Sequence, residues 1–139
     1  NGIIAYKIDP DGSIAWTTYI HKEQATTNDG GYAISFGHVY DNNKITLFFH
    51  DNKQNYSSSG KYNKQRNRAS FMKKNYCFAQ ATISISSGDV SRSIVHDLKT
   101  GEGFVLPRET MRLNQTNKGV LIMVKKFNKP QKRYGIVTI

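Results

Sequence analysis

One strand-turn-strand pattern recurs along the chain at a spacing of roughly 75 residues, and this recurrence limits the fold more than any single motif does. "AYKIDPDGSIAW" from Ala5 aligns with "TISISSGDVS" from Thr82, so that Tyr6 meets Ile83, Ile8 meets Ile85, Gly12 meets Gly88 and Ile14 meets Val90. "VYDNNKITLFF" from Val39 aligns with "LNQTNKGVLIM" from Leu113, pairing Asn43 with Asn117, Lys44 with Lys118 and Leu47 with Leu121. "YGIVTI" from Tyr134 resembles "FAQATI" from Phe78. The two hairpin matches fall in one order at nearly one spacing, which points to a repeated hairpin unit.

The units are made of strands. In "SIAWTTYI" the residues Ile14, Trp16, Thr18 and Ile20 share one face, and in "KITLFFH" Ile45, Leu47 and Phe49 do, the period-2 pattern of half-buried strands. "VLIMVKKF" is apolar on both faces, as a central strand is, with Lys125 and Lys126 marking its exit to solvent. "DPDG", "YDNN", "SSGD" and "NQTNKG" have turn compositions, because Gly and Asn accept positive φ and Pro pre-sets its own. No segment carries a helical stripe, so the chain reads as all-β and antiparallel. Trp16, Ile45, Leu47, Phe49, Ile83, Ile85, Leu121 and Ile136 are its predicted core.

"AYKIDPDGSIAW" resembles the strand-turn-strand piece of quinoprotein-type β-propeller blades, in which a run ending in Asp precedes a Gly turn and a Trp-bearing strand. "NDGGYAISF" is similar to a blade-opening strand, as in cell-envelope proteins of Bacteroidetes-like bacteria. The resemblance implies that residues 3–20 are the outer two strands of one blade. It makes 32–95 a complete four-stranded blade and 110–139 three strands of the next. A second Trp is missing at the matching site, where Ser91 or Arg92 stands. Propellers close with about four to eight blades, more than roughly nine strands can supply. The expectation is therefore a single all-β unit over 1–139 that forms the C-terminal part of a longer propeller; the alternative is a closed β-sandwich or barrel.

Charge sets the candidate partners. The net charge is +10, and fourteen of the 20 Lys and Arg fall in 53–74 and 110–139, two stretches without an acid. A polyanion would be drawn to them. Within an insertion over 52–75, the cations alternate with Tyr56, Tyr62, Phe71 and Tyr76, a mixture that can hold single-stranded nucleic acid by charge and stacking. The nominated binding residues are Lys61, Tyr62, Lys64, Arg66, Arg68, Lys73 and Lys74. The same composition also suits a solvated loop that trypsin would cut first.

Other chemistry is sparse. One cysteine, Cys77, excludes a disulfide scaffold and a Cys-based zinc site, and reads as a buried small side chain. His21, His38, His50 and His96 lack ligand spacing, and Asp9, Asp11 and Gly12 fall short of a calcium loop and read as a hairpin turn. No apolar run approaches the roughly 20 residues of a membrane span. Asn55 and Asn114 open glycosylation sequons. No catalytic, cofactor or metal residue is nominated. The expected function is a non-catalytic binding or scaffold module of propeller type in a bacterial cell envelope. Its partner would be another protein or the remainder of its own propeller. The alternative is a domain that binds nucleic acid or acidic polysaccharide with the two basic stretches as one patch.

Overall fold

The computed structural model describes residues 2–25, 31, 34–70, 75–98, 104–112, 119–125 and 132–138. Strands β1 (Gly2–Ile8) and β2 (Ile14–His21) form an antiparallel hairpin with a bulge between Lys7 and Ile8. Its turn is closed by hydrogen bonds from Asp9 N–H to the Ser13 carbonyl and from Gly12 N–H to the Asp9 carbonyl, both 2.9 Å. The Asp11 carboxylate accepts from Ser13 N–H and Oγ–H at 2.9 and 2.7 Å, which lowers its pKa and makes it a turn brace.

A four-stranded antiparallel sheet follows, in the order β4 (Phe36–Asp41), β5 (Lys44–Asn52), β7 (Tyr76–Ser84) and β8 (Val90–His96). Asn42 and Asn43, at φ 42° and 62°, turn β4 into β5, a left-handed pair that suits the twist of a two-residue hairpin. Short strands β3 (Gln24–Ala25) and β6 (Ala69–Ser70) pair in parallel, an exception to the antiparallel rule read from the sequence. In the third sheet β11 (Gly119–Lys125) pairs β12 (Lys132–Thr138) on one side. Its other edge is shared by β9 (Phe104–Val105) and β10 (Met111–Arg112), which are separated by a 3₁₀ turn at Pro107–Glu109. Among the described residues no sheet closes on itself, so the barrel alternative is not what they form. No helix among them is long and apolar enough to cross a membrane.

The sheets stack face to face because the middle one is apolar on both sides. Toward the hairpin, Leu47, Phe49, Cys77, Ala79, Ala81 and Ile83 meet Ile20, with Ile3 and Trp16 packed alongside. Toward the third sheet, Phe48 and Phe78, whose rings stack at 5.8 Å, meet Val105, Val120 and Ile122. Strand β5 is therefore buried on both faces and not half-buried as its alternation predicts. The Trp16 indole crosses the first boundary, donating Nε1–H to the Ile85 carbonyl at 2.9 Å and lying against the turn at Gly88.

Several core assignments change. Leu47, Phe49 and Ile83 are buried, but Ile136 is 67% exposed and Leu121 only half-buried. Trp16, Ile45 and Ile85 are half-buried, and Ile14 points to solvent. On β11 it is Val120 and Ile122 that face the middle sheet, as Leu47 and Phe49 face the hairpin. The faces match when Leu47 is aligned with Val120, one residue from the pairing read in the sequence. Asn117 and Lys118 lie outside the described residues. In the hairpins, Ile8 pairs Ile14 as Ile83 pairs Val90, which places Ile8 on Ile83 and, past the bulge, Trp16 on Ser91.

Candidate basic cleft

The site begins with an acid in the wrong place. Strand β5 continues past its apolar run into Asp51 and Asn52, both buried, and a carboxylate withdrawn from water requires a cation and hydrogen bonds. Arg92 supplies the charge. It stands opposite Ala81 in the β7–β8 register, on the same face of the sheet, and its guanidinium Nη2 pairs with Asp51 Oδ2. Its Nε–H donates to the Tyr56 hydroxyl at 2.9 Å and its Nη1–H to the His21 carbonyl at 2.7 Å. The guanidinium also lies 4.8 Å from the Phe49 ring centre and 4.3 Å from that of Tyr62. Tyr56 O–H and Asn55 Nδ2–H complete the Asp51 carboxylate at 2.7 and 2.9 Å. Burial and the adjacent Asp51 charge push the Tyr56 phenol pKa well up, so it stays a proton donor.

These bonds fix the insertion. Asn55 also donates to the Asn67 carbonyl at 3.0 Å and accepts from Asn67 N–H at 2.7 Å, while Asn52 donates to the Arg68 carbonyl at 2.8 Å. Tyr62 N–H reaches the Arg92 carbonyl at 3.3 Å, and Ile94 N–H reaches that of Gly60 at 3.0 Å. The segment around Lys61 thus lies along the edge of β8, bridged to Ser93, and covers backbone that an edge strand would otherwise expose. The solvated loop expected from composition is, over its described residues, an ordered excursion of the sheet. Buried Asn and Asp side chains do the work that an apolar core would do elsewhere.

Between the excursion and the hairpin lies a cleft of about 550 Å³. Tyr19 and His21 wall it from β2, Val90 and Arg92 from β8, and Lys61, Tyr62, Lys64 and Arg66 from the insertion. Lys61, Lys64 and Arg66 are exposed, and among the described residues no ion pair engages them. Lys64 has φ 62°, a conformation glycine adopts more cheaply. Nε2 of His21 is buried without a hydrogen-bond partner among the described residues, 3.7 Å from Glu23 Oε2.

The structure brings four of the seven nominated residues, Lys61, Tyr62, Lys64 and Arg66, to one cleft. Arg68 turns away and forks onto Glu23 Oε1 from Nη2 and Nε at 2.8 and 2.9 Å, which holds the Glu23 carboxyl below its usual range. Lys73, Lys74 and the aromatic Phe71 lie outside the described residues. Of the second basic stretch, Lys118, Lys126 and Lys129 lie outside the described residues. Its Arg133 lines a different groove, between β8 and β12 on the far side of the middle sheet. Sequence reasoning missed Tyr19, His21, Asp51 and Arg92. The available signal was Asp51 just past the apolar run of β5, and Arg92 as the one Lys, Arg, Asp or Glu residue of β8.

No protein-family model, curated protein or solved structure matches this chain.

Proposed function

We propose that the chain is a non-catalytic binding module of stacked, blade-like sheets, of the propeller type, and that it presents the basic cleft to an anionic chain, an acidic polysaccharide foremost. The carrying observation is that Lys61, Lys64 and Arg66 converge on one cleft without an ion-pair partner among the described residues, on a segment held rigid from beneath by Asp51 and Arg92. Cations fixed in place lose little entropy on meeting a ligand, so the arrangement favours recognition over diffuse attraction.

The propeller-type stacking is supported by the outer faces. Ile4, Tyr6, Ile8 and Tyr19 on the hairpin and Tyr134 and Ile136 on the third sheet are exposed large apolar residues, as faces that pack on further sheets would be. Charge is favoured over base stacking as the mode of recognition, since Tyr62 already has the Arg92 guanidinium over its ring.

Titration of a heparin oligosaccharide and, in parallel, an oligothymidylate into the wild type, Lys64→Glu and Arg68→Gln tests this. The expected result is saturable heparin binding, weakened at least tenfold by Lys64→Glu and less than threefold by Arg68→Gln. Equal binding by all three proteins would overturn the cleft as the site. Preference for the oligothymidylate would replace the polysaccharide with single-stranded nucleic acid.

A further inference from the structure

Strand β12 pairs with β11 through all seven of its residues, and among the described residues nothing pairs with its other edge. Beside that edge runs a groove of about 820 Å³. Residues 133–138 line it consecutively, so the strand presents its backbone there and not only alternate side chains. The opposite wall is the outer part of the middle sheet, with Val95, His96 and Leu98. The floor is continuous with the core between the two sheets, since Leu98, Val105 and Ile122 belong to both.

The middle sheet shows what such a place holds. Strand β7, which β12 resembles in sequence, carries β5 on one edge and β8 on the other. In the hairpin, β1 carries β2. Strand β12 carries β11 and then the groove.

We infer that the β12 edge is a strand-addition site, and that its occupant is an extended segment of the β2 and β8 kind. Such a segment would be antiparallel to β12, with β-branched or small residues at alternate positions and an acid opposite Arg133. Main-chain hydrogen bonds to the free edge provide the attraction and the groove wall reads every second side chain. An acidic residue is called for because Arg133 lies in the groove without an ion-pair partner among the described residues, and opposite charges facing across a strand pair attract. The inference rests on the edge and its groove and is independent of any ligand in the basic cleft.

The probes are two synthetic peptides with the sequences of residues 12–21 and 88–97, each also made with N-methyl groups on alternate residues of either parity. Binding is read by fluorescence anisotropy, and the site by hydrogen exchange in β12. The expected result is binding by the 88–97 peptide, which carries Asp89 and Asp97, that slows exchange in 132–138 and is tighter than any binding by 12–21, which has no acid. Binding by 12–21 that is as tight or tighter would remove the acidic requirement and overturn the occupant as stated. N-methylation of one parity should weaken binding by 88–97 at least tenfold and the other parity less than threefold, because only one set of N–H groups faces β12. Binding unaffected by either set, binding without protection of β12, or no binding by either peptide would overturn the proposal. Protection of β12 that rises with protein concentration alone would give the edge to a second copy of the chain and overturn it equally.

Discussion

The Trp16 indole hydrogen-bonds the Ile85 carbonyl at 2.9 Å across the boundary between the hairpin and the middle sheet, and it does so over a glycine. A Cβ at Gly88 would stand 2.7 Å from the indole, and the residue has φ 74°. Gly88→Ala therefore combines a left-handed backbone with a clash that only movement of Trp16 relieves. The expected loss is about 2–4 kcal/mol by urea unfolding, against about 1 kcal/mol for Trp16→Phe, which removes one hydrogen bond. Equal stability of Gly88→Ala and the wild type would mean that the indole does not dock on this turn.

Arg92→Met leaves the Asp51 carboxylate buried beside Tyr56 and Asn55 with its cation gone. Removing one partner of a buried pair typically costs about 3–5 kcal/mol, whereas replacing both by apolar residues restores part of the loss. A double-mutant cycle with Asp51→Leu should thus be strongly non-additive. Limited trypsin digestion gives a second readout, because Arg92→Met should open the bonds beneath 61–66 to faster cleavage. Additive losses would show that the two side chains act separately.

His50 is fully buried, and its Nε2–H meets the Val105 carbonyl at 2.8 Å. Burial pulls its pKa down to about 4. Between pH 6.5 and about 4 the unfolded chain takes up a proton that the folded chain refuses, so stability falls across that window by roughly 3 kcal/mol and levels off below it. Lys22, lowered to about 8 mainly by burial, acts at the other end: stability rises from pH 8 toward 10.5 as the unfolded chain alone stays protonated. Urea midpoints across pH check both, and a His50→Gln variant should lose the acid slope specific to this residue.

Cys77 is buried, and its thiol is pushed up to about 12, chiefly by burial. Reaction with a thiol-specific disulfide reagent at pH 8 should therefore be absent in the folded protein and complete in denaturant. Fast reaction without denaturant would place Cys77 at the surface.

The hairpins were legible in the sequence because Gly12, Gly88 and the Asn42–Asn43 pair need conformations that few residues accept, and such residues announce turns. Leu47, Phe49 and Ile83 were legible as core because stacking buries their face completely. Ile136 and Leu121 were not. Strands β11 and β12 are apolar on both faces, so alternation fixes the period but leaves open which face meets the middle sheet. The cleft was half legible: Lys61, Lys64 and Arg66 stood out by charge. The bonds that fix them start at Asp51, Asn52 and Asn55, polar residues whose burial becomes visible only when β5 is placed between two other sheets.

Lys64 separates stability from binding. At φ 62° its replacement by Gly relieves roughly 1 kcal/mol of backbone strain, so Lys64→Gly should unfold no earlier than the wild type while binding the anionic ligand more weakly. A Tm that drops together with affinity would mark Lys64 as part of the scaffold.

The most direct measurement is the salt dependence of heparin binding, taken as the slope of log affinity against log salt. Each cation that displaces a counterion steepens the slope by about 1. The slope should become shallower by about that amount for each of Lys61→Ala, Lys64→Ala and Arg66→Ala, and remain unchanged for Arg68→Gln, whose charge Glu23 already holds. A wild-type slope near zero, or one that falls equally for all four variants, would contradict a cleft built from these three cations.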